Sequence, residues 1–442
     1  MKKRIISLLL ALSLCAVPAL AEETAAETPE TPAQTEAPAQ TETKPAAGPD
    51  GADGTSVSPD APGTVSFENL ERRIRENNKN LLTIQESVNA LEELDYADLA
   101  ETIRKSMNGI AKMQWGYVKG YLPDIDLETG AVSIIPLNGN YSYEEDQLQA
   151  SYDSLREQFD AIQDGEMQED NAGIVRQLKS LQDQIVMGGE TLYLTLVDLE
   201  EQEGALIRQR DALDRTVAEM RLRHQMGQIS ALQLHQVESG RAQLESGLRT
   251  LQMNIRILKY QLEVILGAEL TGEIKLGPVP DVTAEELAAM NTEKDLAASR
   301  EASYEVYAAK KAHEDAEEKY DEIWKRTRSD DQEYKQAVHD RAAAQYTYDA
   351  SVVDYELRFL KLYHQVQDYA QILEAAEAAL EYEKGVYAVS ELKFAQGTIS
   401  ANALKAAEDT LKTAEEKVSA AAGDLFASYN TYCWAVKHGI LN

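Results

Sequence analysis

Apolar residues recur along this chain at helical spacing over long, nearly uninterrupted runs. Leu244, Leu248, Leu251, Ile255, Leu258, Leu262 and Ile265 alternate steps of four and three, the mark of a left-handed coiled coil, and predict a helix over 231–266. The same register returns at Leu404, Ala407, Leu411, Ala414, Val418, Ala421 and Leu425, with alanine at alternate seam positions and therefore a closer helix approach expected. Upstream, Leu70, Ile74, Leu81, Ile84, Val88, Leu91, Ile103, Met107 and Ile110 predict a helical run from Phe67 to about Tyr117. Helical patterning resumes near Glu144, is irregular over 165–173, and continues to Met226. In the second half, a helix is expected from Ala284, where Thr283 and Glu286 form a capping-box signature, to about Arg328. A polar break at Ser329-Asp330-Asp331 separates it from a very long helix ending near Gln396. At ~1.5 Å per residue that helix is roughly 95 Å long, more than a compact domain needs. Strand-like patterning is confined to 131–135 and 140–143. The fold class this predicts is all-α, with two tandem repeats of long antiparallel coiled-coil helices and few or no β-strands.

The repeat is visible in a short motif. Gly227-Gln228-Ile229-Ser230-Ala231 recurs as Gly397-Thr398-Ile399-Ser400-Ala401, 170 residues later and without a gap, so that Tyr193 falls on Tyr363 and Asp198 on Asp368. Each copy lies between two helical runs and reads as a tight helix–turn–helix tip. The glycine suits the left-handed position that ends a helix. The serine suits the N-cap of the next helix, with Gln233 completing a capping box in the first copy and Ala403 leaving it incomplete in the second. Ile229 with Leu234, and Ile399 with Leu404, have the spacing of a hydrophobic staple.

Composition adds boundaries. Lys2-Lys3-Arg4, the apolar run 5–17 and Ala19-Leu20-Ala21 form a secretory signal peptide over 1–21, with cleavage expected after Ala21 and an exported protein as the consequence. Residues 22–65, rich in Pro, Thr, Ala and Glu, have too little apolar surface to offset their ordering entropy and read as a disordered linker. The first helical repeat is then 66–280, closed by Pro278-Val279-Pro280, and the second 281–442. Of two cysteines, Cys15 lies in the leader and only Cys433 remains, which excludes a disulfide framework within one chain. The formal net charge of −33 becomes −36 once the three leader cations are removed, which argues against nucleic acid as a partner.

With the duplicated tip, the opening segment 68–78 ending in Asn77-Asn78, and Gly189 to Leu196 as the start of a long helix, the chain resembles the TolC-like outer-membrane efflux protein family over essentially all of 66–442. The resemblance implies a homotrimer whose twelve long helices enclose a hollow α-barrel. It also implies that the Gly-centred turns form the inner end of the tunnel and dock onto a periplasmic-type adaptor protein and, through it, an inner-membrane pump. On that reading the adaptor-binding tip consists of Gly227, Ile229, Ser230 and Ala231 with Gly397, Ile399, Ser400 and Ala401. The chain departs from the family in its strands. Each repeat of a family member typically carries two membrane-spanning strands of ~9–11 residues. Here the first repeat offers only the short loop 122–143 and the second a polar helix turn over 324–331, so a relative without the membrane barrel is expected.

Other chemistry is not indicated. The six histidines are scattered, and His224 and His235, which flank the first tip, are two where a metal site needs three or four ligands. No Gly-rich phosphate loop, nucleophile elbow or HExxH is present. The expectation is a protein with no catalytic residues, no metal and no cofactor. It is either an efflux component of the envelope or a secreted, non-conducting coiled-coil scaffold or adaptor-binding protein.

Overall fold

The computed structural model describes residues 60–61, 63–119, 121–125, 132–136 and 142–441. The signal peptide and most of the 22–65 linker lie outside them. A short strand β1 (Thr64–Val65) leads into helices α1 (Phe67–Asn77), α2 (Lys79–Glu92) and α3 (Tyr96–Lys119). A two-stranded ribbon, β2 (Tyr121–Ile125) and β3 (Val132–Pro136), precedes α4 (Ser142–Gln163), α5 (Glu166–Gln225) and α6 (Ala231–Ile265). After β4 (Lys275–Leu276) come α7 (Ala284–Ala289), α8 (Thr292–Ala302), α9 (Tyr304–Arg326), α10 (Gln332–Ala395) and α11 (Ala401–His438). The all-α class holds. α5 and α10, with 60 and 64 residues, are about 90 and 96 Å long at 1.5 Å per residue.

Several expected elements are divided or moved. The run from 67 to 117 is three helices, because Asn78 leaves helical geometry (φ −70°, ψ 115°) and its side chain instead accepts the free N–H groups of Asn80 and Leu81, each at 3.0 Å. The run from 284 to 328 is likewise three, restarted by Asn291, which accepts from the Lys294 N–H, and by Ser303, which accepts from the Val306 N–H. These polar caps are invisible to apolar periodicity, which continues across them. The irregular patch shrinks to one turn, where Gly165 (φ +87°) lets the chain restart at Glu166. Gly189 therefore lies well inside α5 and not at its start. The ribbon pairs 121–125 with 132–136 in antiparallel register, Tyr121 opposite Pro136 and Ile125 opposite Val132. Of the strand expected at 140–143, residues 142–143 are helical, since α4 has begun by Ser142, and residues 140–141 lie outside the described residues. The folded body also starts earlier than 66: Val65 is fully buried, Thr64–Val65 pairs in parallel with Lys275–Leu276, and Asp60 accepts hydrogen bonds from Ser66, Asn69 and Arg73.

The two repeats close in the same way. α1 and α8 are both 11 residues long and both end at a one-residue break, Asn78 and Ser303. Against each break sits a positive-φ glycine that follows the last helix of the repeat: Gly267 (φ +61°) lies against the backbone of Asn77, and Gly439 (φ +68°) against Ala302 and Ser303. A Cβ on either would stand within 2.5 Å of that backbone, so glycine is required by space as well as by angle. Asn78 completes the first closure by donating from Nδ2 to the Ile265 carbonyl at 2.8 Å.

Two apolar cores lie beside these closures. One gathers Leu70, Ile74, Val186, Tyr193, Leu196, Ile255 and Leu262, and takes in Trp434 from α11. The other gathers Phe359, Leu362, Val366, Leu425, Tyr432 and Ala435. No helix among the described residues is long and apolar enough to cross a membrane.

Candidate functional site

Both tips have the same backbone. In the first, the Gly227 N–H donates to the His224 carbonyl (2.9 Å) and the Gln228 N–H to the Arg223 carbonyl (2.8 Å), with Gly227 at φ +73°. In the second, the Gly397 N–H donates to Phe394 (2.9 Å) and the Thr398 N–H to Lys393 (2.9 Å), with Gly397 at φ +72°. These paired bonds are the Schellman closure, which satisfies the last carbonyls of α5 and α10. Ser230 and Ser400 then adopt extended geometry and cap α6 and α11, accepting from the Gln233 N–H (3.3 Å) and the Ala403 N–H (3.2 Å). Gln233 returns the favour through Oε1, which accepts the Ser230 N–H at 2.9 Å. Thr398 adds a bond of its own in the second tip, donating from Oγ1 to the Lys393 carbonyl at 2.8 Å.

The expected site residues fall together at these turns. Gly227, Ser230, Ala231, Gly397, Ser400 and Ala401 are exposed, while Ile229 and Ile399 are half-buried, as are Leu234 and Leu404 across the turn. Space around both glycines is open, so only the backbone angle demands them. Missed in the sequence were the exposed apolar side chains around the motif: Leu222, Met226 and Leu232 at the first tip, Leu392 and Phe394 at the second. Leu232 is 77% exposed. The available signal was that these residues fall off the buried seam. Just below the first tip, Arg221 clamps the hairpin by pairing with Glu238 at 2.7 Å. His224 and His235 are both exposed, and among the described residues no group of three or more His, Cys, Asp or Glu is placed to hold a metal ion.

About 50 Å along α5 from the first tip, the two repeats meet through charge. Glu190, buried to 4% exposure, accepts from Trp434 Nε1 and Asn430 Nδ2, each at 2.6 Å. Burial nonetheless pushes its carboxyl above the ordinary value. Asp183 accepts from Arg75 (2.8 Å) and bonds His438 Nδ1 (2.8 Å). Burial opposes its ionisation, but the His438 and Arg75 bonds outweigh that and hold its carboxyl below the ordinary range.

The fold is thus a duplicated, long-helix α-hairpin protein with matched turns. Solved structures it is similar to are outer-membrane proteins. One is the outer-membrane protein VceC of Vibrio cholerae, at 12% identity, 84% of this chain, 96% of that one and a TM-score of 0.47. Another is the outer-membrane channel OprN, at 13%, 85%, 90% and 0.47. A third is the open-state MtrE channel of Neisseria gonorrhoeae, at 14%, 84%, 88% and 0.43. No family model matches the sequence, and no curated protein matches it.

Proposed function

We propose that this chain is an envelope efflux component, working as a homotrimeric helical conduit and not as a catalyst. Its two tips dock on a periplasmic-type adaptor that couples it to an inner-membrane pump, and an N-terminal signal peptide cleaved after Ala21 exports it. The observation that carries the reading is the duplicated tip. Two turns of matched backbone hydrogen bonding, each at the end of a helix of 60 residues or more, leave several apolar side chains exposed. A turn used only to reverse the chain has no need to keep the same Gly-x-Ile-Ser-Ala in both copies or to keep Leu232 and Phe394 in solvent. Exposed apolar groups on a small-residue turn suit helix-hairpin docking.

A second reading, a non-conducting scaffold that binds the adaptor, is favoured by one observation. α9 passes to α10 through residues 327–331 with no strand, where the first repeat has its five-residue ribbon.

Two measurements test the proposal on the purified full-length chain. Light scattering coupled to size exclusion is expected to give a trimer; a monomer at micromolar concentration removes the conduit. Changing Gly227→Val together with Gly397→Val forces β-branched residues into left-handed geometry. That variant is expected to abolish adaptor capture while helicity is retained. Undiminished capture sinks the tip assignment.

A further inference from the structure

At the junction of the repeats α5 runs antiparallel to α11, and their cross-links keep one register. Arg215 pairs with Asp409, each 12 residues from its tip glycine, and Arg208 with Glu416, each 19 residues from it. Glu190 and Trp434 meet 37 residues from the same two glycines. The tips therefore lie level. The long helices form a layer in the order α6, α5, α11, α10, each packed on the next. By the 170-residue repeat, α10 is the counterpart of α5 and α6 the counterpart of α11. Yet α5 meets α11 inside the chain, while α10 and α6 stand at opposite flanks of the layer.

Both flanks carry the pattern of a helix seam with nothing packed on it. Alternate steps of four and three from Leu232 to Val264, through Ser239, Ser246, Met253 and Ile257, land only on exposed, uncharged residues. They lie on the side of α6 turned away from its buried Leu248, Ile255 and Leu262. On α10 the same stepping runs through Ile372, Ala375, Ala379, Tyr382, Val386 and Val389, again all exposed and uncharged. With 27% of all residues charged, a solvated face of that length would carry charge, so two faces without any have the pattern of covered seams.

The charged rungs of the junction change together at these flanks. Arg208 and Arg215 of α5 correspond to Ala378 and Gly385 in α10, and Glu416 and Asp409 of α11 to Ser246 and Ser239 in α6. Base and acid are both absent from each pair. Two faces in contact require that, since the loss of one alone would leave the other charge covered and unpaired. Small residues on both sides also let the helices approach closely.

We infer that the α10 face of one copy packs antiparallel on the α6 face of the next, Ala378 level with Ser246 and Gly385 level with Ser239. The α5–α11 register is thus repeated between chains without its ion pairs. The contact joins unlike faces, so every copy added leaves one face of each kind free until a ring closes. The inference rests on the homotrimer reading above and adds which faces meet.

Cross-linking of full-length chains carrying Cys15→Ala and Cys433→Ser tests it. One chain also carries Ser246→Cys and a second Ala378→Cys, and a short bismaleimide is added to each alone and to both produced together. Covalent dimer is expected from the mixture at a yield at least about tenfold above either chain alone. Ser246→Cys produced with Tyr346→Cys, whose thiol stands roughly 48 Å further along α10, is expected to stay at the level of the single chains. Light scattering on the same samples separates this pairing from the reading it rests on. An oligomer whose mixture does not cross-link, or whose single chains or register control cross-link equally, overturns the pairing and leaves the trimer standing. A monomer overturns both.

Discussion

The two long hairpins share a turn and differ in what holds their helices together. α5 and α6 are laced by charge: Lys259 pairs with Glu200 (2.5 Å), Arg221 with Glu238 (2.7 Å), Arg241 with Asp214, and Gln252 donates to Glu203 (2.7 Å). Among the described residues no ion pair joins α10 to α11. That pair buries Ala414 and Ala421 on its seam and packs more extensively along its length, with Phe359 and Tyr363 around Tyr432 at ring separations of 5.4 and 6.3 Å. The contrast teaches that one backbone tip tolerates two kinds of stalk. Exposed ion pairs contribute ~0–1 kcal/mol each and are screened by salt, whereas buried small-residue and aromatic packing is not.

The largest test of that contrast is in the cores. Phe359→Ala is expected to cost ~3–5 kcal/mol and Leu262→Ala ~2–5 kcal/mol in urea unfolding, both side chains being fully buried. Because Trp434 of the second repeat sits in the core of the first, both substitutions should move a single transition. Two separate transitions would mean that the repeats fold independently and that the junction holds little.

The junction carboxylates give a smaller, pH-dependent effect of opposite signs. Asp183 has a depressed folded-state pKa, so it contributes stability above its unfolded value of 3.8 that is lost as pH falls through the folded value. Glu190 has a raised folded-state pKa, so its contribution is most favourable below the unfolded value of 4.5 and is lost as pH rises through the folded one. Melting temperature followed from pH 4 to pH 8 should therefore fall at neutral pH for Asp183→Asn, which leaves Arg75 to Glu71 alone and takes the carboxylate from His438. Glu190→Gln, whose amide oxygen still accepts from Trp434, should hold or rise above pH 5. The reverse order would refute the assignment of these two groups.

The smallest effect compares the caps. Ser230→Ala and Ser400→Ala are each expected to cost ~0.5–2 kcal/mol locally. The first should cost more because Ser230 Oγ also donates to Gln233 Oε1 at 3.1 Å, a bond that goes with the hydroxyl. Ala403→Gln, which completes the box in the second tip, should recover a few tenths of a kcal/mol. Amide exchange at 228–234 and 398–404 reads both.

Much of this architecture could be read before any coordinates. The seam from Leu244 to Ile265 and its copy from Leu404 announced α6 and α11, because a packed helix writes its period into every turn. The tips were legible because a left-handed glycine and a capping serine have few chemical alternatives. The divisions at Asn78 and Ser303 were not, since one polar residue that trades a backbone bond for a side-chain one leaves the apolar period intact on either side. The strand at 121–125 was hidden by Pro123, which is tolerated only because a two-stranded ribbon consists entirely of edges. Nor could the Glu190–Trp434 contact be found, since it depends on the register between helices more than 200 residues apart.

The glycine closures also bear on the order in which the chain can fold. The Asn78 side chain waits for Ile265, 187 residues downstream, and β1 waits for β4. A chain emerging from its N-terminus therefore holds α1 and α2 open for most of the first repeat's synthesis. Once Gly267 and β4 have arrived, the Asn78 closure can form ahead of the second repeat, while the first core still waits for Trp434 and Ser303 for Gly439. Such long-range closure slows folding and lengthens the time during which apolar faces are uncovered. The two repeats are thus staggered in time as well as in sequence.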